Sequence, residues 1–227
     1  MSFNYDLEQP RPNYQLMTPA AKMAQTCEYR VAPLATNPKR RYIGRKTAEN
    51  AFHGRRYLEG QGQHYNQLLT INWSMAVKSE EGIERLHRAF RQRLLRAWRY
   101  RSQKTGGGPL HYLDVMENPE EGFHAHTALS IPGTELLWLE NTVMKIIKKL
   151  VDAQIDDGMV DIRPITTAGS TFKYLLKGTS PAYESYFHMR TMDQGLIAGR
   201  RVSMSRSMGP TARERAGWKR ARRPKSM

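Results

Sequence analysis

Apolar residues recur at two different spacings in the middle of the chain, from Tyr65 to Gly178. Short apolar or alternating runs bounded by turn residues indicate β-strands, and recurrence every three to four residues indicates amphipathic helices. The predicted strands are residues 68–73, 110–117, 122–132 and 158–165. The predicted helices follow an N-cap at Ser79, span about residues 134–154, and span residues 168–177.

The order of these elements is strand, helix, strand, strand, helix, strand, helix. The first six match the split β-α-β arrangement of ferredoxin-like and RRM-like domains. We therefore expect an α+β fold with one antiparallel sheet, two helices on a single face of it, and the first strand beside the strand at 122–132 in its centre. The first helix should turn one apolar stripe to the core, formed by Ile83, Leu86, Phe90, Leu94 and Trp98.

The composition changes on both sides of this region. Prolines and clusters of Arg and Lys interrupt residues 1–63, which predicts a basic N-terminal extension, with its packing on the domain left open. Residues 64–190 form the expected domain. Residues 191–227, rich in Arg, Lys, Ser and Gly, predict a basic C-terminal tail that contacts phosphates, or else a solubilising tail. Its candidate DNA-binding residues are Arg200, Arg201, Arg206, Lys219, Arg220, Arg222 and Arg223.

The charge of the chain indicates a polyanionic partner. The 227 residues include 36 Lys and Arg against 21 Asp and Glu, a formal net charge of +15. Such an excess attracts nucleic acid at long range but does not separate DNA from RNA. A single cysteine, Cys27, excludes an internal disulfide. We find no apolar run of membrane-spanning length and no signal stretch, so we expect a cytoplasmic protein without a membrane partner.

Two histidines one residue apart are the first candidate for chemistry. His124 and His126 lie in a predicted strand, and alternate strand residues point the same way, so both imidazoles can reach one metal ion. The turn at residues 118–122 makes the preceding strand their hairpin partner, which places Glu117 nearby. Histidines satisfied by hydrogen bonds are the structural alternative.

Tyr174 and Lys177 are the second candidate pair. They lie three residues apart in the last predicted helix, so they share a helix face. A tyrosine can serve as a nucleophile, and a neighbouring lysine can balance phosphate charge. The alternative is a buried core aromatic beside an ordinary surface lysine.

In this order, these residues resemble the HUH single-tyrosine endonucleases, in particular the rolling-circle replication initiators of small phages, plasmids and single-stranded DNA viruses. The resemblance covers about residues 67–178. Three segments carry it: Leu69-Thr-Ile-Asn72 resembles the first motif, Phe123-His-Ala-His-Thr-Ala-Leu129 the metal motif, and Tyr174-Leu-Leu-Lys177 the Tyr-x-x-Lys motif. The chain departs from the family at Ala125, where a bulky hydrophobic residue is usual.

The resemblance implies an activity and a set of partners. Tyr174 would form a 5′-phosphotyrosine at a single-stranded origin, and Lys177 would assist it. His124, His126 and Glu117 would hold Mn²⁺ or Mg²⁺, with Glu120 and Glu121 as lower-ranked ligands. A bacterial host would supply a DNA polymerase and a helicase, because the chain lacks a phosphate-binding loop for ATP. The alternatives are a single-tyrosine transposase, a plasmid mobilisation relaxase, or a ferredoxin-like nucleic-acid-binding protein without catalysis.

Overall fold

All seven predicted elements are present in the computed structural model, which describes residues 39–76, 80–119, 122–151, 155 and 157–219. One further 16-residue helix precedes them, and several short elements flank them. In chain order the helices and strands are β1 (Lys39–Arg40), α1 (Arg45–Gly60), β2 (Gln67–Asn72), α2 (Glu80–Thr105), β3 (His111–Glu117), β4 (His124–Ser130), α3 (Leu136–Val151), β5 (Val160–Pro164), α4 (Ala168–Leu175), α5 (Glu184–Phe187), β6 (Ile197–Ala198), β7 (Val202–Met204) and α6 (Pro210–Arg215).

The chain has an α+β fold built on a five-stranded antiparallel sheet. The strand order is β5-β2-β4-β3-β7, and β1 pairs with β6 in a separate two-stranded sheet. The expectation that the first long strand and the histidine strand lie side by side within the sheet is confirmed, because β4 is its middle strand and β2 is its neighbour.

One face of the sheet is covered by α2 and α3. Four of the five residues predicted for the apolar stripe of α2 are buried, with Ile83, Phe90, Leu94 and Trp98 between 1% and 6% exposed, and Leu86 is partly buried against them. They join one core cluster with β2, β4 and α3, in which Ala125 is fully buried. Burial of each large apolar side chain contributes roughly 1.5–3 kcal/mol. In the described part of the chain, no helix is both long and apolar enough to cross a membrane.

A buried polar network also lies on this face. The Asp114 carboxylate on β3 accepts hydrogen bonds from His87 (2.9 Å), Arg91 (2.7 Å) and Thr127 (2.9 Å). The indole of Trp73 donates to His87 Nδ1 at 3.1 Å. An indole only donates, so His87 accepts at Nδ1 and carries its proton at Nε2. The network therefore joins α2 to the two neighbouring strands in one defined arrangement.

The opposite face of the sheet is covered as well. Ala48, Ala51 and Leu58 of α1 belong to a second core cluster with Leu113 of β3 and Phe172 of α4. The two helices expected on one face, α2 and α3, do lie there, and α1 and α4 form an additional layer on the opposite face. Within the predicted extension of residues 1–63, residues 45–60 form helix α1, which packs on the sheet. The described residues from 39 onward belong to one compact unit.

The predicted C-terminal tail also contributes to the sheet. β7 pairs with β3 through Val202, Ser203 and Met204, so it forms one edge of the sheet. In α6, the buried guanidinium of Arg213 donates to the carbonyl oxygens of Asn50 (3.2 Å) and Met208 (2.9 Å). The expected boundary at residue 190 thus falls inside a region whose backbone hydrogen bonds hold it to the domain.

A glycine in the loop before β6 is expected to be indispensable. Gly195 has φ +69°, and a Cβ there would lie 1.6 Å from the carbonyl oxygen of Asn118, directly after Glu117. We expect Gly195→Ala to lower the free energy of unfolding by about 2 kcal/mol or more. Urea unfolding checks this against Gly44→Ala, where φ is −73° and the added methyl meets open space. Equal stability of the two variants would contradict the packing described.

Candidate active site

Three segments meet at one end of the sheet: the end of β3, the start of β4 and the turn after α4. In the strand register, His124 lies between Glu117 on β3 and Asn72 on β2. Alternate strand residues share a face, and Leu113, Val115 and Ala128 face α1 and α4. Glu117, His124 and His126 therefore project from that same face, opposite to α2 and α3.

Hydrogen bonds orient both imidazoles. His124 Nδ1 donates to the carbonyl oxygen of Gly122 at 3.0 Å, which leaves Nε2 with a free lone pair. His126 Nδ1 lies 2.9 Å from Thr70 Oγ1. The imidazole rings of His124 and His126 are nearly parallel, with their centroids 6.2 Å apart. Gly122 has φ +132°, and a Cβ there would lie 2.5 Å from Ser74 Oγ. Glycine thus allows the backbone just before the histidines to approach the turn that follows β2.

Glu117 is the most buried acidic group of the site, with 3% of its surface exposed. Its Oε2 lies 3.0 Å from Lys177 Nζ and 3.6 Å from His126 Nε2. Its Oε1 is buried and has no hydrogen-bond partner among the described residues. A buried carboxylate oxygen without a partner is costly, so this atom is suited to receive a ligand.

The electrostatic surroundings favour an ionised carboxylate and a neutral imidazole. Burial raises the pKa of Glu117, but the proximity of His126 and the charge of Lys177 lower it more, so the pKa falls below its ordinary value. Burial, followed by the proximity of His126, lowers the pKa of His124. These are the protonation states in which both groups bind metal ions.

Tyr174 and Lys177 approach this group from α4. The helix ends at Leu175, two residues earlier than expected, so Lys177 lies in the following turn. Its ammonium group lies over the ring of Tyr174, 3.7 Å from the centroid. The Tyr174 ring lies 5.9 Å from that of His126, and 47% of Tyr174 is exposed, whereas Lys177 is buried. The tyrosine is thus accessible from solvent while its neighbours are enclosed.

The side chains present suit a divalent cation in their chemistry. Two imidazoles and one carboxylate with an unpartnered oxygen form a mixed nitrogen and oxygen donor set, as Mn²⁺ accepts. As the side chains stand, no three His, Cys, Asp or Glu residues within the described ranges form a preformed metal cluster. Lys177 instead balances the charge of Glu117 in the arrangement described.

The candidate DNA-binding residues fall into three groups. Arg200, Arg206 and Lys219 are exposed. Arg201 differs from the expectation, because it is 3% exposed and its guanidinium donates to backbone carbonyl oxygens. These acceptors belong to Arg40, Met116, Gln194 and Gly195. The remaining three, Arg220, Arg222 and Arg223, lie outside the described residues, as do Glu120 and Glu121.

Two contributions to the site were not predicted from the sequence. Thr70 lies in the segment that carries the first motif, and its hydroxyl contacts His126. The two residues are paired across β2 and β4, so the expected pairing of these strands was the signal that could have identified Thr70. Arg201 holds the carbonyl oxygen of Met116 at 3.1 Å beside Glu117. Only the folded chain places it there, since the two residues are far apart in sequence.

Comparison with known proteins does not assign the chain to a family. No known protein family matches the sequence, and no curated protein shows significant similarity to it. Its function must therefore be argued from the arrangement of the side chains.

Proposed function

We propose that this chain is a metal-dependent, site-specific single-stranded DNA endonuclease and strand transferase that initiates rolling-circle DNA replication. The observation that carries the proposal is the meeting of residues from separate motifs. Lys177 Nζ lies 3.0 Å from Glu117 and 3.7 Å from the ring centroid of Tyr174, whose ring lies 5.9 Å from that of His126. A nucleophile, a cation and candidate metal ligands are the parts that phosphodiester transfer needs.

Tyr174 is the nucleophile in this proposal, because it is half exposed and adjoins the buried charges. Its phenolic oxygen forms a bond to phosphorus, and the bond from phosphorus to the 3′-oxygen breaks. The phenol loses one proton and the departing 3′-oxygen gains one, so the step is balanced. The products are a 5′-phosphotyrosine and a 3′-hydroxyl that a polymerase can extend. Attack of a 3′-hydroxyl on the phosphotyrosine reverses the step and joins the strand.

The neighbouring groups orient and balance charge. Lys177 offers its positive charge to the phosphate, while Thr70 and the Gly122 carbonyl hold the two imidazoles. His124, His126 and Glu117 would hold Mn²⁺ or Mg²⁺, which when bound acts as a Lewis acid toward a phosphate oxygen. Glu117 Oε1 is the atom best suited to that ligation, because in the part of the chain that the structure describes it has no hydrogen-bond partner.

The proposal extends to the fold and to the partners. We assign β2, α2, β3, β4, α3 and β5 to the split β-α-β arrangement of ferredoxin-like domains, and the strand order β5-β2-β4-β3 supports this. Single-stranded origin DNA is the proposed substrate. A host helicase and a host DNA polymerase would work on the same replicon in a bacterial cytoplasm.

A reaction with single-stranded DNA tests the proposal. The protein is incubated with Mn²⁺ and a pool of random-sequence single-stranded oligonucleotides, and covalent adducts are separated under denaturing conditions. We expect a protein–DNA adduct together with released fragments that a DNA polymerase extends from their 3′ ends. Cleavage into fragments without any adduct would indicate a hydrolytic nuclease and would refute the strand-transfer proposal.

Removal of both imidazoles is expected to slow this reaction strongly. His124→Ala with His126→Ala should lower the rate of adduct formation by about 10²–10⁴-fold, since two of three proposed metal ligands are lost. Affinity for single-stranded DNA without metal should stay within about threefold of that of the unchanged chain, because phosphate contacts dominate it. The exposed His64→Ala serves as control. An unchanged rate in the double variant would contradict the metal role of the histidine pair.

A further inference from the structure

The outer side of α2 carries positive charge that no carboxylate of the described residues balances at several positions. From residue 85 to residue 104 the chain has eight Arg and Lys and no Asp or Glu. Three of these cations are paired with carboxylates: Arg88 with Glu84 at 2.6 Å, Arg91 with Asp114 at 2.7 Å, and Arg101 with Glu135 at 2.8 Å. The others are Arg85, Arg93, Arg96, Arg99 and Lys104.

Arg93, Arg96 and Arg99 form an exposed row that we call the arginine stripe. Successive members are three residues apart, so they are neighbours on the helix surface. In the described part of the chain, none of the three has a carboxylate within salt-bridge distance. Like charges at such spacing cost about 0.2–0.5 kcal/mol per pair in an isolated helix. A stripe that is unfavourable for the helix alone is suited to an anionic partner.

The arginine stripe and the candidate active site lie on opposite sides of the sheet. α2 packs on the face that holds Ala125, whereas His124 and Glu117 project from the other face. DNA that occupies the candidate site therefore does not contact the stripe directly. A second nucleic-acid segment, or another part of the same molecule, is required to reach it.

The composition of this surface favours double-stranded over single-stranded DNA as the partner. Proteins that bind single strands combine cations with several aromatic side chains on which bases stack. On α2 the described exposed aromatic residue is Tyr100, and Lys104 Nζ lies over its ring, 4.5 Å from the centroid. The cations from residue 85 to residue 104 extend over about 28 Å of helix, close to one turn of a DNA duplex. Such a row fits backbone phosphates rather than bases.

We propose that the arginine stripe binds the phosphate backbone of double-stranded DNA and forms a second nucleic-acid surface, independent of Tyr174 and of metal. In this arrangement the protein holds duplex DNA on one side while the opposite side faces a single strand. The contact is to phosphates, so it carries no sequence preference of its own.

Salt-dependent binding to a duplex tests this surface. Affinity of the full chain for a duplex of arbitrary sequence is measured without metal over a range of salt concentrations. For the variant R93Q/R96Q/R99Q, the slope of log K against log salt should be smaller by about 3, since each lost phosphate contact removes about 0.9. The variant R93K/R96K/R99K keeps the charges and should keep the slope. K145Q/K148Q/K149Q removes the same charge from the exposed side of α3 and should leave the slope nearly unchanged.

Three results would overturn the proposal. One is an unchanged slope in the glutamine variant, and a second is an equal decrease in the α3 variant, which would indicate net charge alone. The third is an equal decrease for a short single-stranded oligonucleotide, which would indicate a general binding surface. None of these measurements involves adduct formation, so failure here leaves the proposed endonuclease activity to its own test.

Discussion

Replacement of Tyr174 by phenylalanine is expected to abolish the covalent adduct and to lower strand cleavage by at least about 10⁴-fold. Phenylalanine keeps the ring beside His126 and under the Lys177 ammonium, so the packing of the site is retained. What is lost is the one oxygen proposed to attack phosphorus. Binding of single-stranded DNA should stay nearly unchanged, which separates loss of chemistry from loss of folding.

Tyr183→Phe is the matched control for this variant. Tyr183 lies in the turn that begins at Pro181 and is partly buried. The substitution therefore removes the same hydroxyl group from a nearby tyrosine. We expect it to retain adduct formation at a rate within about threefold of that of the unchanged chain, as surface changes outside a site usually do. An adduct that persists in Tyr174→Phe and disappears in Tyr183→Phe would move the nucleophile to the other residue.

The largest expected effect on stability follows from removal of Asp114. Its carboxylate is 2% exposed and accepts from His87, Arg91 and Thr127. Asp114→Ala leaves these donors without an acceptor and should lower the free energy of unfolding by about 3–5 kcal/mol, measured by urea denaturation. Asp161→Ala breaks an exposed pair with Arg163 on β5 and should cost less than about 1 kcal/mol. Equal losses in the two variants would contradict the structural role of the network.

Acid should weaken the same network. Burial raises the pKa of Asp114, but the proximity and hydrogen bond of His87, followed by the charge and hydrogen bond of Arg91, outweigh it and lower the pKa to about 2. Because the pKa is lower in the folded state, the stabilisation is complete above the unfolded value near 4 and is lost as pH falls toward 2. Integrated over this shift, it amounts to about 2 kcal/mol. Asp114→Ala should remove this part of the acid dependence.

The sequence allowed prediction of the central elements because their apolar spacing is strong. The stripe from Ile83 to Trp98 and the runs that became β2, β3 and β4 each have one clear period. By contrast, α1 buries Ala48, Ala51 and Gly54, whose weak hydrophobicity does not form a visible stripe. A Cβ at Gly54 would lie 3.2 Å from the sulfur of Met204, so its burial depends on a distant strand.

The candidate site was predictable to a similar degree. Glu117 opposite His124 follows from a hairpin with a short turn, so local sequence is enough to bring them together. The ion pair of Glu117 with Lys177 was not predictable, because it depends on the turn after α4 and on tertiary packing. The buried position of Arg201 was not predictable for the same reason, since a basic residue in a basic segment gives no sign that backbone carbonyl oxygens surround it.

The most direct test of the proposed chemistry is to locate the covalent bond. The unchanged chain is incubated with Mn²⁺ and random-sequence single-stranded DNA, the DNA is digested to a short remnant, and the tryptic peptides are analysed by mass spectrometry. We predict one modified peptide, with a 5′-phosphonucleotide on the oxygen of Tyr174. A modification on any other residue, or cleaved DNA with no modified peptide, would contradict the assignment of Tyr174 as the nucleophile.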